Sequence, residues 1–150
     1  MKIAIGNDHR GFKLKLKLAG YLEELGHEVL DKGFHGEEAS DHPLAAFKVG
    51  EAVVDGSAAK GVVICGSAVG VTIAANKVPG VYAFSPMSEL QAKWSRKHNA
   101  TNVIAFAADF IGVELAKSIL KVWLETEADD NERYVRRRGQ IADYEKRIQG

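Results

Sequence analysis

One short run constrains this chain more than any other feature. Gly61-Val62-Val63-Ile64-Cys65-Gly66 is apolar throughout and dense in β-branched side chains. A strand with one wet face alternates polar and apolar residues. A run with no polar position reads instead as a strand covered on both faces, at the centre of a parallel sheet. Parallel neighbours need long crossover connections, so helices should lie between the strands. The rest of the chain complies: Lys2-Ile3-Ala4-Ile5-Gly6, Val29-Leu30, Val81-Tyr82-Ala83-Phe84 and Asn102-Val103-Ile104-Ala105-Phe106 are four further strand candidates. Amphipathic segments over 43–55, 68–76, 88–97 and 111–125 separate or follow them.

Residues 10–25 carry two patterns at once. Phe12, Leu14, Leu16 and Leu18 alternate as in a strand, while Leu14, Leu18, Leu22 and Leu25 form a stripe at helical spacing. Gly26 stands where a helix-ending glycine belongs, which decides for a helix with Lys13, Lys15 and Lys17 reaching solvent. The last segment, 131–148, is strongly polar and basic, and is assigned to packing on a partner chain or capping a cleft. The expected architecture is a single α/β domain over 1–150. It is a Rossmann-like three-layer sandwich with a central five-stranded parallel sheet and a C-terminal helix against a partner chain.

Composition narrows the function classes. Twenty Lys+Arg balance twenty Asp+Glu, so no global field gathers nucleic acid or anionic membrane. The single cysteine permits neither an intrachain disulfide nor a cysteine-rich zinc cage. No stretch approaches the roughly 18 apolar residues of a membrane span, and the start shows no cleavable signal pattern, which gives a cytoplasmic expectation.

Ligands of open α/β sheets bind beyond the carboxyl ends of the strands. Strand one ends in Asn7-Asp8-His9, strand three in Cys65-Gly66-Ser67-Ala68-Val69-Gly70, and strand four leads to Ser85-Pro86. Gly66 and Gly70 allow a tight turn, and Ser67 is placed to cap the following helix. The N–H groups at such a turn attract an oxyanion or phosphate and favour thiolate in a cysteine placed there. Cys65 also has a structural reading as a small buried hydrophobe. Asp8-His9 reads either as an acid–imidazole pair for hydroxyls and protons or as a turn with a capping Asp. His98-Asn99 reads as a helix C-terminus with its imidazolium and capping Asn. His27 and His35 have no partner at metal spacing and read as surface. Arg133 and Arg137 lie one helical turn apart, able to clamp an anion or simply to face solvent.

These motifs resemble the ribose-5-phosphate isomerase B family, which includes the galactose-6-phosphate isomerase subunits. The carriers are Asp8-His9, Cys65-Gly66-Ser67 with Gly70, Ile73-Ala74-Ala75-Asn76-Lys77, Ser95-Arg96-Lys97-His98-Asn99, and Arg133 with Arg137. The resemblance implies interconversion of an aldose phosphate and its ketose through a cis-enediol, with no metal or cofactor. It assigns Cys65 as the base between C1 and C2. Ser67 and the backbone of Gly66, Ala68, Val69 and Gly70 stabilise the enediolate. His98 opens the ring, Asp8, His9 and Asn99 bind hydroxyls, and Arg133 and Arg137 hold phosphate. It also implies dimers or tetramers with sites shared between chains.

Several positions depart from the pattern. Ala68 replaces a glycine, with a methyl expected to crowd the turn. Asp41-His42-Pro43 stands for Asp-Tyr-Pro, Tyr82 for an arginine, and Arg133-Tyr134 for Arg-His. Ala107-Ala108-Asp109 replaces Gly-x-Arg, putting a carboxylate at a substrate-binding position where a phosphate-gripping cation is expected. Either Arg136 or Arg138 compensates, or the ligand end carries no phosphate, or the chain belongs to a mixed assembly. One galactose-6-phosphate isomerase subunit is acidic here too, but lacks the cysteine. The alternatives to a ribose 5-phosphate isomerase are therefore an isomerase of another or a free sugar, and a non-catalytic sugar-phosphate-binding relative.

Overall fold

A computed structural model describes residues 1–150. The strands are β1 (Lys2–Asn7), β2 (Glu28–Asp31), β3 (Lys60–Cys65), β4 (Ala83–Phe84) and β5 (Val103–Ala107). The helices are α1 (Phe12–Glu24), α2 (His42–Val54), α3 (Val69–Ala75), α4 (Glu89–Asn99), α5 (Val113–Glu125) and α6 (Glu132–Gln149). All strand pairs are parallel in the order β2-β1-β3-β5-β4, with β3 fully buried at the centre. The sandwich and its parallel sheet are those read from the apolar run at residues 61–66.

The two faces of the sheet differ in side-chain size. Ile3, Ile5, Val62, Ile64, Ile104 and Phe106 pack against α1, α4 and α5, where Leu14, Leu18, Leu22 and Trp123 fill the layer. The opposite face presents Ala4, Val63, Val103, Ala105 and Ala107 to α2 and α3. It also presents Gly6 and Gly61, where an added Cβ would lie 2.7 Å and 2.6 Å from methyls of Val49. Small residues on this face let α2 lie close to the sheet.

Lys15 departs from the expected lysine pattern. Lys13 and Lys17 are exposed, but Lys15 is only 1% exposed. Its ammonium donates to Asp31 Oδ1 (3.2 Å) and Oδ2 (2.9 Å) and to the Phe34 carbonyl (2.8 Å). The residue beside Leu14 on the helix faces the chain leaving β2, so it is enclosed by that loop instead of water. α6 buries no residue within the chain, and Val135, Ile141, Tyr144 and Ile148 stand exposed along it. No helix is long and apolar enough to cross a membrane.

Candidate active site

The adjacency of β1, β3 and β5 brings their carboxyl ends together. Past β1 the chain turns sharply: Asp8 Oδ1 accepts from Gly11 N (3.0 Å), and Asp8 N donates to Ile64 O (3.2 Å). Gly11 is required there, since a Cβ would sit 2.6 Å from Ile64 O. Asp8 thus fulfils the capping reading, yet it also lines the cleft beside Cys65. His9 ties this turn to the 33–41 loop. Its N–H donates to Ser40 Oγ (2.9 Å), and its Nδ1 accepts from Ser40 N (3.2 Å). An Nδ1 that accepts from an amide carries no proton, so the ring proton lies on Nε2.

Past β3, Cys65 is buried and Ser67 exposed. Ser67 Oγ accepts from Val69 N (3.3 Å), while the residue capping α3 is Ala68, with no side-chain cap. The amides of Gly66, Ser67 and Ala68 donate to no acceptor in the protein. Ala68 adopts φ 65°, the left-handed region where glycine is the ordinary occupant. Its methyl does not crowd the cleft as expected. It is 1% exposed and packs inward with Val71 and the small-residue core layer. Val69 also stays out of the cleft, its side chain facing solvent.

A cleft of about 350 Å³ gathers Asp8, Cys65, Gly66, Ser67, Gly70 and Asp109, together with three residues not marked from sequence: Arg10, His42 and Phe110. His42 is the first residue of α2, and a Cβ at Gly70 would collide with its imidazole. The ring has no hydrogen-bond partner in the protein, which leaves both nitrogens to a ligand. Arg10 pairs with the Asp109 carboxylate directly above Gly66. The cation beside Asp109 is therefore Arg10, and neither Arg136 nor Arg138. Arg136 is exposed, and Arg138 Nη1 instead reaches the carbonyls of Lys97 (3.5 Å), His98 (3.4 Å) and Asp129 (3.0 Å). The signal for Arg10 was its position in the Asp8-His9 turn. His42 was visible only as a departure, because the irregular loop before it has no period to aim it.

The remaining candidates form a second group. His98 and Asn99 line a separate cleft of about 400 Å³ with Phe84, Gln91 and Trp94. His98 stacks on Tyr134 (centroids 4.3 Å, 15°) and on Trp94 (5.7 Å, 29°). Arg133 lies over the same Tyr134 ring at 5.0 Å and donates to its hydroxyl at 3.1 Å. Arg137 is exposed one turn further along α6. Asn99 does not cap α4; Ala100 ends it at φ 52°. Within one chain, then, the cysteine and the His98–Arg133 group do not share a cleft.

Known proteins resemble this chain along most of its length. A family model described as Ribose/Galactose Isomerase matches residues 3–141. Ribose-5-phosphate isomerase B of Escherichia coli is 46% identical over 123 residues, covering 82% of this chain and 83% of that protein. D-erythrulose-4-phosphate isomerase of Pectobacterium atrosepticum is 37% identical over 128 residues, covering 85% and 84%. The structure of Clostridium thermocellum ribose-5-phosphate isomerase B superposes with a TM-score of 0.95 at 42% identity, covering 99% of both chains. Along nearly all of its length, this chain belongs to the ribose/galactose isomerase family.

Proposed function

We propose that the protein is an aldose–ketose isomerase acting on ribose 5-phosphate and ribulose 5-phosphate. One observation carries this reading: a cysteine ends the central strand beside a turn whose amides at Gly66, Ser67 and Ala68 have no protein acceptor. The Cys65 thiolate takes the proton from C2 of the open-chain aldose, and the electron pair moves through C1 onto O1. Ser67 and the free amides hold that oxygen as the cis-enediolate forms, which is where preorganised donors contribute most. The thiol then returns its proton to C1, while O2 gives its proton to O1 and becomes the ketone. Asp8 and His9 position sugar hydroxyls; no metal or cofactor takes part.

The His98–Asn99 group and the arginines of α6 complete the site from a second copy of the chain. His98 opens the ring, Asn99 binds a hydroxyl, and Arg133 and Arg137 grip the phosphate. The homodimer of this reading uses the apolar residues that α6 leaves exposed, and the enzyme works in the cytoplasm.

Cys65→Ala is expected to lower turnover of ribose 5-phosphate by about a thousandfold, within the range for a lost acid–base group. Ketose formation followed by absorbance, with circular dichroism to verify folding, measures it. Turnover near wild type in a folded Cys65→Ala protein refutes the assignment. A second reading is favoured by Asp109, which puts a carboxylate in the cleft: the preferred sugar is a different phosphorylated one or is not phosphorylated. Comparing kcat/KM across phosphorylated and free aldoses separates the two readings, and preference for ribose 5-phosphate eliminates the second.

A further inference from the structure

Two residues lining the Cys65 cleft have side chains that can be cationic, Arg10 and His42, and of these only the guanidinium is permanently charged. Arg133 and Arg137 lie in the other group of residues. An anionic ligand seated over Cys65 therefore meets one fixed positive charge from that same chain, set beside the carboxylates of Asp8 and Asp109.

That charge is held by converging strand ends. Arg10 follows β1, Gly66 follows β3, and Asp109 follows β5. Asp109 N donates to Gly66 O at 3.0 Å, fixing the backbone that bears the carboxylate. The bond from Gly11 N to Asp8 Oδ1 fixes the turn that bears Arg10. Gly66 has room for both side chains only because it lacks one of its own. A Cβ there would lie 2.7 Å from Asp109 Oδ2, 2.8 Å from Arg10 Nε and 3.1 Å from Arg10 Cδ. Exposed ion pairs contribute little to stability, so stability does not account for three strand ends shaped around this one. A carboxylate engages at most part of the five-donor guanidinium fork, and the Arg10 side chain remains 59% exposed. Arg10 lines the cleft, so the donors that Asp109 does not engage belong to a cleft-lining side chain.

We infer that Arg10 is the anion-gripping, specificity-determining cation of this cleft and that Asp109 is its positioning residue. The cation missing from position 109 is supplied from the end of β1, on the far side of β3, and the carboxylate that replaced it aims the substitute. The inference rests on the sugar-phosphate reading for the identity of the anion, a phosphate monoester. It does not rest on Cys65 chemistry.

The test uses inorganic phosphate, titrated by 31P NMR against the full-length protein, together with steady-state kinetics on ribose 5-phosphate. Arg10→Ala is expected to weaken phosphate binding about tenfold, the loss of one charge-assisted contact. The substrate KM should rise by a larger factor than kcat falls. Arg10→Ala/Asp109→Arg returns a guanidinium to the same corner and is expected to recover most of the lost phosphate affinity. Asp109→Ala should raise KM with little of the loss in kcat, and Asp109→Glu should restore it. A lower KM in Asp109→Ala would mean that the carboxylate merely repels the anion, overturning its positioning role. Should the wild type isomerise ribose 5-phosphate while Arg10→Ala keeps both KM and phosphate affinity, the inference fails and the isomerase reading stands. Arg10-dependent phosphate binding in a protein that turns over no sugar phosphate upholds Arg10 as the anion grip and overturns the isomerase reading.

Discussion

Replacing Lys15 by Met keeps the side chain's length and apolar stem while removing its ammonium. Three hydrogen bonds disappear, two to the Asp31 carboxylate and one to the Phe34 carbonyl. Breaking a fully buried ion pair costs about 3–5 kcal/mol, because it leaves a charge without a partner. Asp31 is 33% exposed and keeps the amide of Gly33 at 2.9 Å, so water and that amide offset part of the loss. We therefore expect about 2–3 kcal/mol of destabilisation, nearer the range for hydrogen bonds to charged groups. With a urea m-value of about 2 kcal/mol/M, the unfolding midpoint falls by about 1–1.5 M at unchanged m. Circular dichroism during urea titration reads this directly, with the exposed Lys17→Met as control, expected within about 0.5 kcal/mol of wild type. The double variant Lys15→Met/Asp31→Asn should cost less than the sum of its parts, since the second change removes the stranded charge. Activity well below the unfolding midpoint should fall too, because the anchored loop carries Ser40 and leads into His42. If Lys15→Met matches Lys17→Met, the enclosed ion pair contributes nothing and the reasoning is wrong.

Ala68→Gly should change stability by less than about 1 kcal/mol, since relief of the left-handed strain offsets the lost buried methyl. Ala46→Gly, within α2, has no such relief and should cost about 2 kcal/mol; equal losses in urea melts would contradict the strain argument. Gly70→Ala should displace the His42 imidazole and lower kcat/KM about tenfold through misplacement alone. It should have no further effect in a His42→Ala background, and additive losses would mean the collision is not the cause. Burial, reinforced by the Arg96 guanidinium, brings the Lys60 pKa down from 10.5 to about 8. Between those values the unfolded chain holds a proton that the folded one has released, so stability rises with pH. The rise amounts to about 3 kcal/mol in full. Lys60→Met should flatten it when urea stability is compared at pH 7.5 and 10, and an unchanged slope would show that Lys60 stays charged when folded.

What the sequence revealed and what it hid divide along a physical line. Strand β3 was legible because burial on both faces removes every polar residue from it after Lys60. The helices were legible because a half-buried cylinder leaves a stripe. The cysteine turn was legible because ligands of such sheets lie at strand ends and this strand end holds a thiol followed by two glycines, Gly66 and Gly70. Helix ends were less so: α1 starts at Phe12, since Asp8 and Gly11 occupy the preceding residues with a turn. Lys15 misled because alternating lysines look uniformly solvated until the loop that covers one of them is placed. Arg10 could not be matched to Asp109 without the strand order. Local periodicity does not reveal that β5 lies next to β3, with β4 outside it, and that adjacency puts residues 10, 66 and 109 at one corner.

The size asymmetry of the sheet connects this packing to the chemistry. Had α2 faced bulky strand residues, as α1 and α5 do, its axis would stand further from the sheet and His42 further from the cysteine turn. Gly6 and Gly61 instead let Val49 settle onto the strands, while Gly50 lets the adjoining turn of α2 approach Val78 and Val81, with a Cβ there 3.0 Å and 3.2 Å from their methyls. α2 therefore starts low over the strand ends, and its first residue overlies Gly70. Glycines at the foot of the helix and at the cleft thus serve one geometric end: the first brings the imidazole down, and the second leaves it somewhere to rest. A methyl added at either place moves the same ring, one by lifting the helix and the other by direct collision. Gly61→Ala should consequently reduce both stability and activity, whereas Gly70→Ala, at the rim, should reduce activity far more than stability.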